Sequence, residues 1–232
     1  MPEGYPQLLS LAVHEFRTPA SVVGGYLRML QRDIGDPLTD RQLKMLDEAE
    51  KSCAKLVSLI AQLSEISKLD SGQLTLSRQP LDVFVVAGEV AERMPETGDR
   101  GVRLVARGQA AGALVEGDAA RLGSAIDAIA RAILREKIGP CTVAMERRID
   151  AQVGRRSAVI VIADENDVAS VATGASQAFD DTRGGLGLAL PLAHRVITGH
   201  GGSIWSPGDS TDGDRRARGS AVIALPIRES QS

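Results

Sequence analysis

The fold class follows from residues 40–69, which read DRQLKMLDEAEKSCAKLVSLIAQLSEISKL. The apolar positions in this stretch alternate steps of three and four residues, which is the heptad spacing of a packed helical seam. These positions are Leu46, Ala49, Cys53, Leu56, Ile60 and Leu63, and Leu43, Leu59 and Ile66 widen the stripe. The spacing therefore predicts one long helix over the whole stretch.

A second long helix is predicted upstream, over residues 7–34. Its apolar residues recur at helical rather than alternating spacing, at Leu8, Leu11, Phe16, Val22, Val23, Tyr26, Leu27 and Leu30. Gly35-Asp36-Pro37 ends this helix, and Thr39 or Asp40 caps the next one. The two helices form a helical hairpin.

A hairpin of this length cannot bury two apolar faces on itself, because it needs another layer of structure. A second copy supplies that layer, so we expect a homodimeric four-helix bundle through residues 7–69. The alternative is that the apolar stripe packs on the rest of the same chain.

Downstream of the hairpin, the pattern changes to a mixture of helices and strands. We expect residues 1–72 to form the hairpin, residues 73–80 a linker, and residues 81–232 a separate α/β sandwich domain. The elements predicted in that domain are a short strand and a helix over 81–93, a strand over 102–106, a helix over 118–136, a strand hairpin over 142–148 and 158–163 turning near Gly154, a helix over 188–198 and a strand over 220–227. The small and polar segments 169–185 and 206–219 are predicted to be mobile loops.

Composition excludes several function classes. The 232 residues carry 27 Lys and Arg against 30 Asp and Glu, a net charge of −3, with three Phe, two Tyr and one Trp. This balance offers no basic footprint or stacking surface for nucleic acid. The two cysteines are too few for a disulfide scaffold, and no apolar run approaches the ~20 residues of a membrane span. We therefore expect a cytoplasmic chain without membrane contact, any membrane or sensor segment lying outside it.

The hexapeptide His14-Glu15-Phe16-Arg17-Thr18-Pro19 lies inside the first predicted helix. Thr18 follows His14 by one turn on the same face, and Glu15 lies beside it. Proline inside a helix costs about 3 kcal/mol or more, because it removes a hydrogen bond and crowds the preceding turn. A bend beside a histidine, a carboxylate and a hydroxyl indicates a functional site, although a kinked surface helix is the alternative.

This hexapeptide resembles the phosphoacceptor box of two-component sensor histidine kinases. Further matches follow in the family's order: Leu69-Asp70-Ser71-Gly72, Gly117-Asp118 with Arg121-Leu122, Asp164, Phe179, Gly185-Leu186-Gly187-Leu188 and His200-Gly201-Gly202. The resemblance spans about residues 8–227. It implies a dimerisation hairpin followed by a gyrase/Hsp90/histidine-kinase-like ATPase domain, in which a mixed sheet packs on helices.

The resemblance also implies roles for individual residues. His14 is the phosphoacceptor that attacks the γ-phosphate of ATP and passes the phosphoryl group to an aspartate of a response regulator. Glu15 accepts the proton, and Thr18 positions a water for dephosphorylation of the regulator. The cofactor is ATP with magnesium, and the nucleotide-binding residues implied by the match are Arg135, Asp164, Phe179, Gly185 and Gly187.

Two features support these roles physically. One imidazole nitrogen can act as the nucleophile while the other is relieved of its proton. Glycines at 184, 185 and 187 let backbone N–H groups approach a phosphate, and the helix that opens at Leu188 adds its positive end.

The chain departs from the family at the nucleotide site. Ala128 and Ala132 stand where the helix usually presents the magnesium-binding asparagine, and a methyl group supplies no oxygen ligand. The first glycine box is replaced by Asp164-Glu165-Asn166-Asp167-Val168, and residues 179–185 are short for a lid. Glu136, one turn beyond Ala132, could partly compensate, and no residue is assigned as a metal ligand.

Two hypotheses follow from this asymmetry between an intact His14 box and an altered nucleotide site. The first is a histidine kinase that tolerates a weakened magnesium-ATP site. The alternative is an ATP-independent pseudokinase that acts as a histidine phosphotransferase, a phosphatase or a dimeric scaffold for a response regulator. His194 and His200 have no companions at metal-ligand spacing and are predicted to be structural.

Overall fold

The computed structural model describes residues 5–32, 38–96, 100–152, 155–173, 175–182, 185–208 and 219–228. The chain divides into two compact units, Met1–Thr75 and Leu76–Ser232. In the first unit, helix α1 spans Tyr5–Arg32 and helix α2 spans Asp40–Asp70, and the two pack against each other. The predicted hairpin is thus confirmed, while its turn at Gly35-Asp36-Pro37 lies outside the described residues.

Helix α2 begins at a capping box. The Thr39 hydroxyl accepts a hydrogen bond from the Gln42 backbone N–H at 3.4 Å, and the Gln42 side chain accepts one from the Thr39 backbone N–H at 2.9 Å. Two of the otherwise unpaired backbone donors at this helix start are therefore satisfied. Thr39, one of the two predicted caps, is the residue that performs this role.

The two helices come close together at Gly24 and Cys53. A Cβ added at Gly24 would lie 3.2 Å from Cys53 Sγ, and the Cys53 thiol donates a hydrogen bond to the Ala20 carbonyl oxygen at 3.1 Å. Val13 of α1 and Ile60 of α2 are also buried. Many large apolar side chains of the same two helices stay exposed, namely Phe16, Val22, Val23, Tyr26, Met29, Leu30, Leu43, Met45, Leu56 and Val57. A single hairpin therefore leaves much of its apolar surface uncovered.

In the part of the chain that is described, the second unit contains four helices and two sheets. Its elements are β1 (Gln79–Asp82), α3 (Val83–Arg93), β2 (Val102–Gly108), β3 (Leu114–Gly117), α4 (Ala119–Glu136), β4 (Cys141–Gln152), β5 (Arg155–Asp164), α5 (Val168–Thr173), β6 (Ala175–Ala178), α6 (Ala189–Gly199), β7 (Ser203–Gly208) and β8 (Ala221–Pro226). Strands β1 and β3 pair antiparallel. The larger sheet has the order β2-β4-β5-β8-β7-β6, with β2 and β4 parallel and the other neighbours antiparallel.

One face of the larger sheet carries the main core. Helix α4 begins at Asp118, whose side chain accepts a hydrogen bond from the Arg121 backbone N–H, and it packs between α3 and α6. Its helical-period apolar residues are fully buried: Leu122, Ile126, Ile129 and Ile133. Burial of each such side chain contributes about 1.5–3 kcal/mol, so this stripe anchors the helix layer on the sheet.

On the opposite face of the sheet, one segment differs from its predicted structure. Segment 169–185 was predicted to be a mobile loop, but it contains most of α5 and all of β6. Val168 and Val171, one helical turn apart, pack in an apolar cluster with Ala144, Val159 and Val161. The prediction was wrong because two valines at helical spacing are enough to seat a short helix on a sheet, although the segment is too short to show a clear period.

The last predicted loop is also shorter than expected. Strand β7 runs to Gly208 and pairs with β8, so only residues beyond it remain for the loop predicted over 206–219. Residues 209–218 and the turn near Gly154 lie outside the described residues. Strand β3 was not predicted, because four residues are too few to show an alternating pattern.

None of the helices in the described residues combines the length and the hydropathy that a bilayer crossing requires.

Candidate functional site

His14 presents its side chain to solvent from α1. The imidazole is 77% exposed, and its Nδ1 lies 3.6 Å from Oε1 of Glu15, whose own side chain is 70% exposed. Thr18, one turn further along the helix, is exposed as well. The three residues of the predicted phosphoacceptor site therefore lie together on an accessible surface of the first unit.

Pro19 lies inside α1, which continues to Arg32. Because proline has no N–H, it cannot donate the helical hydrogen bond to the carbonyl of Glu15. The first turn after His14 is therefore held with one backbone hydrogen bond fewer than an uninterrupted helix.

The exposed apolar residues of α1 fall on two different faces. At about 100° per residue, Val22 and Met29 lie within about 80° of His14 around the helix axis. Phe16, Val23 and Leu30 follow one another at seven-residue intervals and lie about 160–200° from His14. All five side chains are at least half exposed. The helix thus offers one apolar surface beside His14 and a second one on its far side.

In the second unit, the glycine turn before α6 has the backbone conformation that glycine permits. Gly185 has a φ of 59° and Gly187 a φ of 65°, both in the left-handed region. A Cβ added at Gly185 would meet nothing within 4 Å, so the turn borders open space. Gly184 lies outside the described residues.

Arg135 lies beside this turn. Its Nη1 donates a hydrogen bond to the Gly185 carbonyl oxygen at 3.4 Å, and its side chain is exposed at the end of α4. Helix α6 starts just after the turn, and Leu188 at its N-cap makes no side-chain capping hydrogen bond. A guanidinium, a glycine turn and the positive end of a helix together form a surface that suits a phosphate group.

Asp164 ends β5 and is half-buried. Its Oδ1 accepts hydrogen bonds from the backbone N–H and the side-chain amide of Asn166, each at 3.2 Å. Glu165 forms an ion pair with Arg107 of β2, which directs this extra carboxylate toward the β2 edge of the sheet. Val168, in place of the last glycine of the box, is only 4% exposed and begins α5.

Phe179 is buried, and the segment that follows it is tied to α6. Asp180 Oδ1 accepts hydrogen bonds from the backbone N–H and the hydroxyl of Thr182. Asp181 contacts Nδ1 of His194 with both carboxylate oxygens, at 3.0 and 3.1 Å. No pattern in the sequence indicates this contact, because its partners are 13 residues apart.

Ala132 stands at the position where the helix of the resembled family presents its magnesium-binding asparagine. In this chain Ala132 is fully buried in the core. Ala128, one turn earlier, is half-buried, and neither side chain carries an oxygen. Among the described residues, no group of three or more His, Cys, Asp or Glu side chains is arranged to hold a metal ion.

His200 is enclosed by the fold. Its Nδ1 lies 2.7 Å from the Val196 carbonyl oxygen, and its Nε2 accepts a hydrogen bond from the Asp118 backbone N–H at 2.9 Å. The ring is therefore neutral, with its hydrogen on Nδ1. Burial lowers the pKa of His200 below its ordinary value.

Comparison with known proteins places these features in context. The model of the His Kinase A (phospho-acceptor) domain matches residues 7–72. The "Non-motile and phage-resistance protein" of Caulobacter vibrioides is 27% identical over 250 residues, covering 97% of this chain and 27% of that protein. The "Sensor histidine kinase WalK" of Bacillus subtilis is 24% identical over 229 residues, covering 94% of this chain and 36% of that protein. The chain thus spans roughly a quarter to a third of the length of these relatives.

Two solved structures show the same fold. ShkA, solved at full length in complex with AMPPNP, has a TM-score of 0.69 and 22% identity, covering 98% of this chain and 47% of that one. Histidine kinase ThkA, solved in complex with the response regulator protein TrrA, has a TM-score of 0.56 and 14% identity, covering 96% and 61%. At these identities the likeness shows the fold, a helical hairpin followed by a mixed sheet on helices.

Proposed function

Because this chain belongs to the two-component sensor histidine kinase family, we propose that it carries a phosphoryl group on His14 and transfers it to an aspartate of a response regulator. The observation that carries this proposal is the accessible imidazole of His14, 77% exposed, inside the segment that matches the phospho-acceptor domain. We assign residues 1–72 to the dimerisation and phosphoacceptor hairpin, residues 73–80 to a linker and residues 81–232 to the catalytic-type domain.

The geometry around His14 suggests which nitrogen reacts. Nδ1 lies 3.6 Å from Oε1 of Glu15, and this proximity favours the tautomer with the ring hydrogen on Nδ1 and the lone pair on Nε2. Nε2 forms the bond to phosphorus while the bond from phosphorus to the oxygen of the donor breaks, and that oxygen leaves with the electron pair. The Nδ1 proton passes to Glu15, so the imidazole ring of the phosphohistidine is uncharged while its phosphoryl group stays anionic.

Thr18 is the residue that we assign to dephosphorylation of the regulator. Its hydroxyl is on the His14 side of α1 and exposed, so it can hold a water beside a phosphoryl group carried by a docked partner.

The partner that we propose for the His14 side is the receiver domain of a response regulator. Such a domain has to bring its aspartate to His14, and Val22 and Met29 are exposed apolar residues on the same side of α1, about 12 and 22 Å along the helix from His14. Exposed apolar patches of this kind mark interaction surfaces.

The second apolar side of the hairpin fits a homodimer. Phe16, Val23 and Leu30 repeat at heptad spacing on α1, and Leu56 extends the predicted seam on α2. Since these positions lie about half a turn away from His14, a second copy covers them and leaves the imidazole accessible. Residues 7–69 thus supply the dimer interface that we propose.

The residues that would contact the phosphates of a nucleotide suit that role better than the residues that would hold its magnesium ion. Gly185, Gly187 and Arg135 with the start of α6 form a surface for phosphate groups. Asp164 and Phe179 stand at positions to which the family resemblance assigns nucleotide binding. The buried Ala132 supplies no magnesium ligand. We therefore propose that binding of ATP with magnesium is weakened relative to a site with the asparagine.

A second candidate function is favoured by the altered glycine box. Val168 packs in the core, Glu165 pairs with Arg107, and Asp164 accepts hydrogen bonds from Asn166. These residues are engaged in the fold, which favours ATP-independent phosphotransfer or phosphatase activity through the same His14.

The location that we propose is the cytoplasm. Cys53 and Cys141 are both unpaired thiols, which is the usual state of cysteines in a reducing compartment.

The experiment that tests the proposal is incubation of the chain with γ-labelled ATP and magnesium, in parallel with His14→Ala. Acid-labile label on the wild type alone supports the kinase. A second reaction replaces ATP with a receiver domain charged by acetyl phosphate. Label that reaches His14 only from the receiver, or label that the receiver loses only in the presence of the chain, supports the ATP-independent alternative. No label on His14 from either source, with no loss from the receiver, contradicts both.

A further inference from the structure

The first residues of the second unit are fastened to two helices. A Cβ added at Gly199 would lie 3.1 Å from Leu76 Cδ1, so the Leu76 side chain packs on the end of α6. The Ser77 backbone N–H donates a hydrogen bond to Asp118 Oδ2 at 3.3 Å, and Arg78 Nη2 donates one to the Gly199 carbonyl oxygen. Three consecutive residues of the linker region are therefore held at the start of α4 and the end of α6.

His200 is hydrogen-bonded to the backbone of Asp118, which in turn binds Ser77. Its Nε2 accepts the hydrogen bond of the Asp118 backbone N–H, while Nδ1–H donates to the Val196 carbonyl oxygen. Asp118 is thus held through its backbone by His200, and its carboxylate in turn holds Ser77. His200 itself is only 5% exposed.

The charged groups that face His200 come from two elements. Arg78 belongs to the linker region, and Asp118 and Arg121 belong to the start of α4. From α6 the ring receives the Val196 carbonyl. The carboxylate of Asp118 favours a charged imidazole, whereas the two guanidinium groups and burial oppose it.

We propose that Leu76, Ser77, Arg78, Asp118, Gly199 and His200 form a pH-sensitive clasp that fixes where the linker leaves the second unit and that opens on acidification. A proton on Nε2 places two donors, Nε2–H and the Asp118 N–H, against each other. Asp118 then withdraws, and the Ser77 amide loses its acceptor.

Opening of the clasp lengthens the connection between the two compact units. The docked segment begins at Leu76, whereas strand β1 begins at Gln79. Release frees three residues, which extend the connection by up to about 10 Å. This consequence rests on the proposed function, in which His14 of the first unit meets the nucleotide site of the second. A longer connection changes the effective concentration of one at the other.

The direction of the pH effect follows from the lowered pKa of His200. Burial lowers the pKa of the docked His200 below the ordinary 6.5, and the Arg78 guanidinium, which leaves when the clasp opens, lowers it further. The open form therefore binds more protons, so the clasp is at full stability above pH 6.5 and loses stability as the pH falls below it.

Amide hydrogen exchange of residues 76–79 in the full chain, followed by mass spectrometry from pH 7.5 to 5.5, tests the clasp directly. Protection factors are compared, because they divide out the intrinsic pH dependence of exchange. We expect the protection of this segment to fall severalfold, and by no more than about tenfold, on acidification, while residues 125–134 in the core of α4 stay protected. Constant protection of residues 76–79 across this pH range overturns the proposal.

Variants separate the clasp from general instability. His200→Gln keeps an acceptor near the Nε2 position but does not titrate, so we expect protection of residues 76–79 that is independent of pH. Arg78→Met removes the contact with Gly199, and we expect low protection already at pH 7.5. Arg93→Met is the matched control, because Arg93 bonds only within α3 through the Glu89 carbonyl among its described contacts.

The outcomes are distinct for the clasp and for the proposed function. An unchanged pH dependence in His200→Gln, or wild-type protection in Arg78→Met, overturns the clasp. The measurement uses no phosphoryl donor, and His14→Ala should behave as the wild type. The clasp proposal can therefore be contradicted without contradicting phosphoryl transfer through His14, and the proposal of phosphoryl transfer can be contradicted without contradicting the clasp.

Discussion

Replacement of Leu56 by aspartate tests the dimer interface most sharply. Leu56 is on the predicted heptad seam of α2, yet 55% of it is exposed in the single chain. Full burial of a leucine side chain is worth about 1.5–3 kcal/mol, so covering the 55% of Leu56 that is still exposed contributes about 0.8–1.6 kcal/mol. Because both copies carry the change, Leu56→Asp removes about 1.6–3.3 kcal/mol, before the cost of burying two carboxylates is added.

This loss alone corresponds to a rise in the dimer dissociation constant of about 10- to 300-fold, and the cost of burying the carboxylates increases it further. Sedimentation velocity at micromolar concentration should therefore show a dimer for the wild type and a monomer for Leu56→Asp. The helical content should hardly change, since the side chain is half exposed in the single hairpin. Ile138→Asp is the matched control, because Ile138 is 87% exposed in the second unit and away from the seam. A Leu56→Asp variant that sediments with the mass of the wild type refutes the proposed interface.

Two further predictions concern local stability. Val168→Gly removes a side chain from the apolar cluster under α5 and adds a helical glycine, so we expect about 2–3 kcal/mol of destabilisation. Thermal unfolding should show a clear loss of Tm, and an unchanged Tm would mean that α5 does not anchor this segment. Thr39→Ala removes the capping box of α2 and should lower the free energy of unfolding by about 1 kcal/mol, whereas Thr39→Ser keeps the hydroxyl and most of the stability. Equal urea denaturation midpoints for the two Thr39 variants would contradict the capping role.

The long helices could be predicted from the sequence because their periods are long enough to be unambiguous. In α4, Leu122, Ile126, Ile129 and Ile133 repeat over more than three turns, and all four are fully buried. The hairpin was equally clear, but the pattern alone did not separate residues buried within one hairpin, such as Ile60, from those left exposed, such as Leu56. That distinction depends on which face α1 covers.

Two short elements on the opposite face and edge of the sheet could not be predicted. Helix α5 and strand β6 are stabilised by contacts with strands that are distant in the sequence, and the local composition of small residues indicates neither element. A few well-placed valines outweigh the loop-like composition of such a segment.

Site residues divide in the same way. His14, Glu15 and Thr18 lie within five residues of one another, so helical spacing alone places them together. The pairing of Asp181 with His194 depends on where the chain returns after Phe179, and the pairing of Glu165 with Arg107 depends on the order of strands in the sheet. Neither of these arrangements leaves a periodic trace in the sequence.

The most direct measurement is to locate the phosphoryl group. After incubation with the labelled donor, the chain is digested with trypsin at neutral pH, which preserves phosphohistidine, and the peptides are sequenced by tandem mass spectrometry. Residues 1–17 form one tryptic peptide, since Arg17 is the first basic cleavage site. We expect the phosphoryl group in this peptide, on His14. A phosphoryl group on His194, on His200 or on a hydroxyl side chain, with His14 unmodified, would contradict the account.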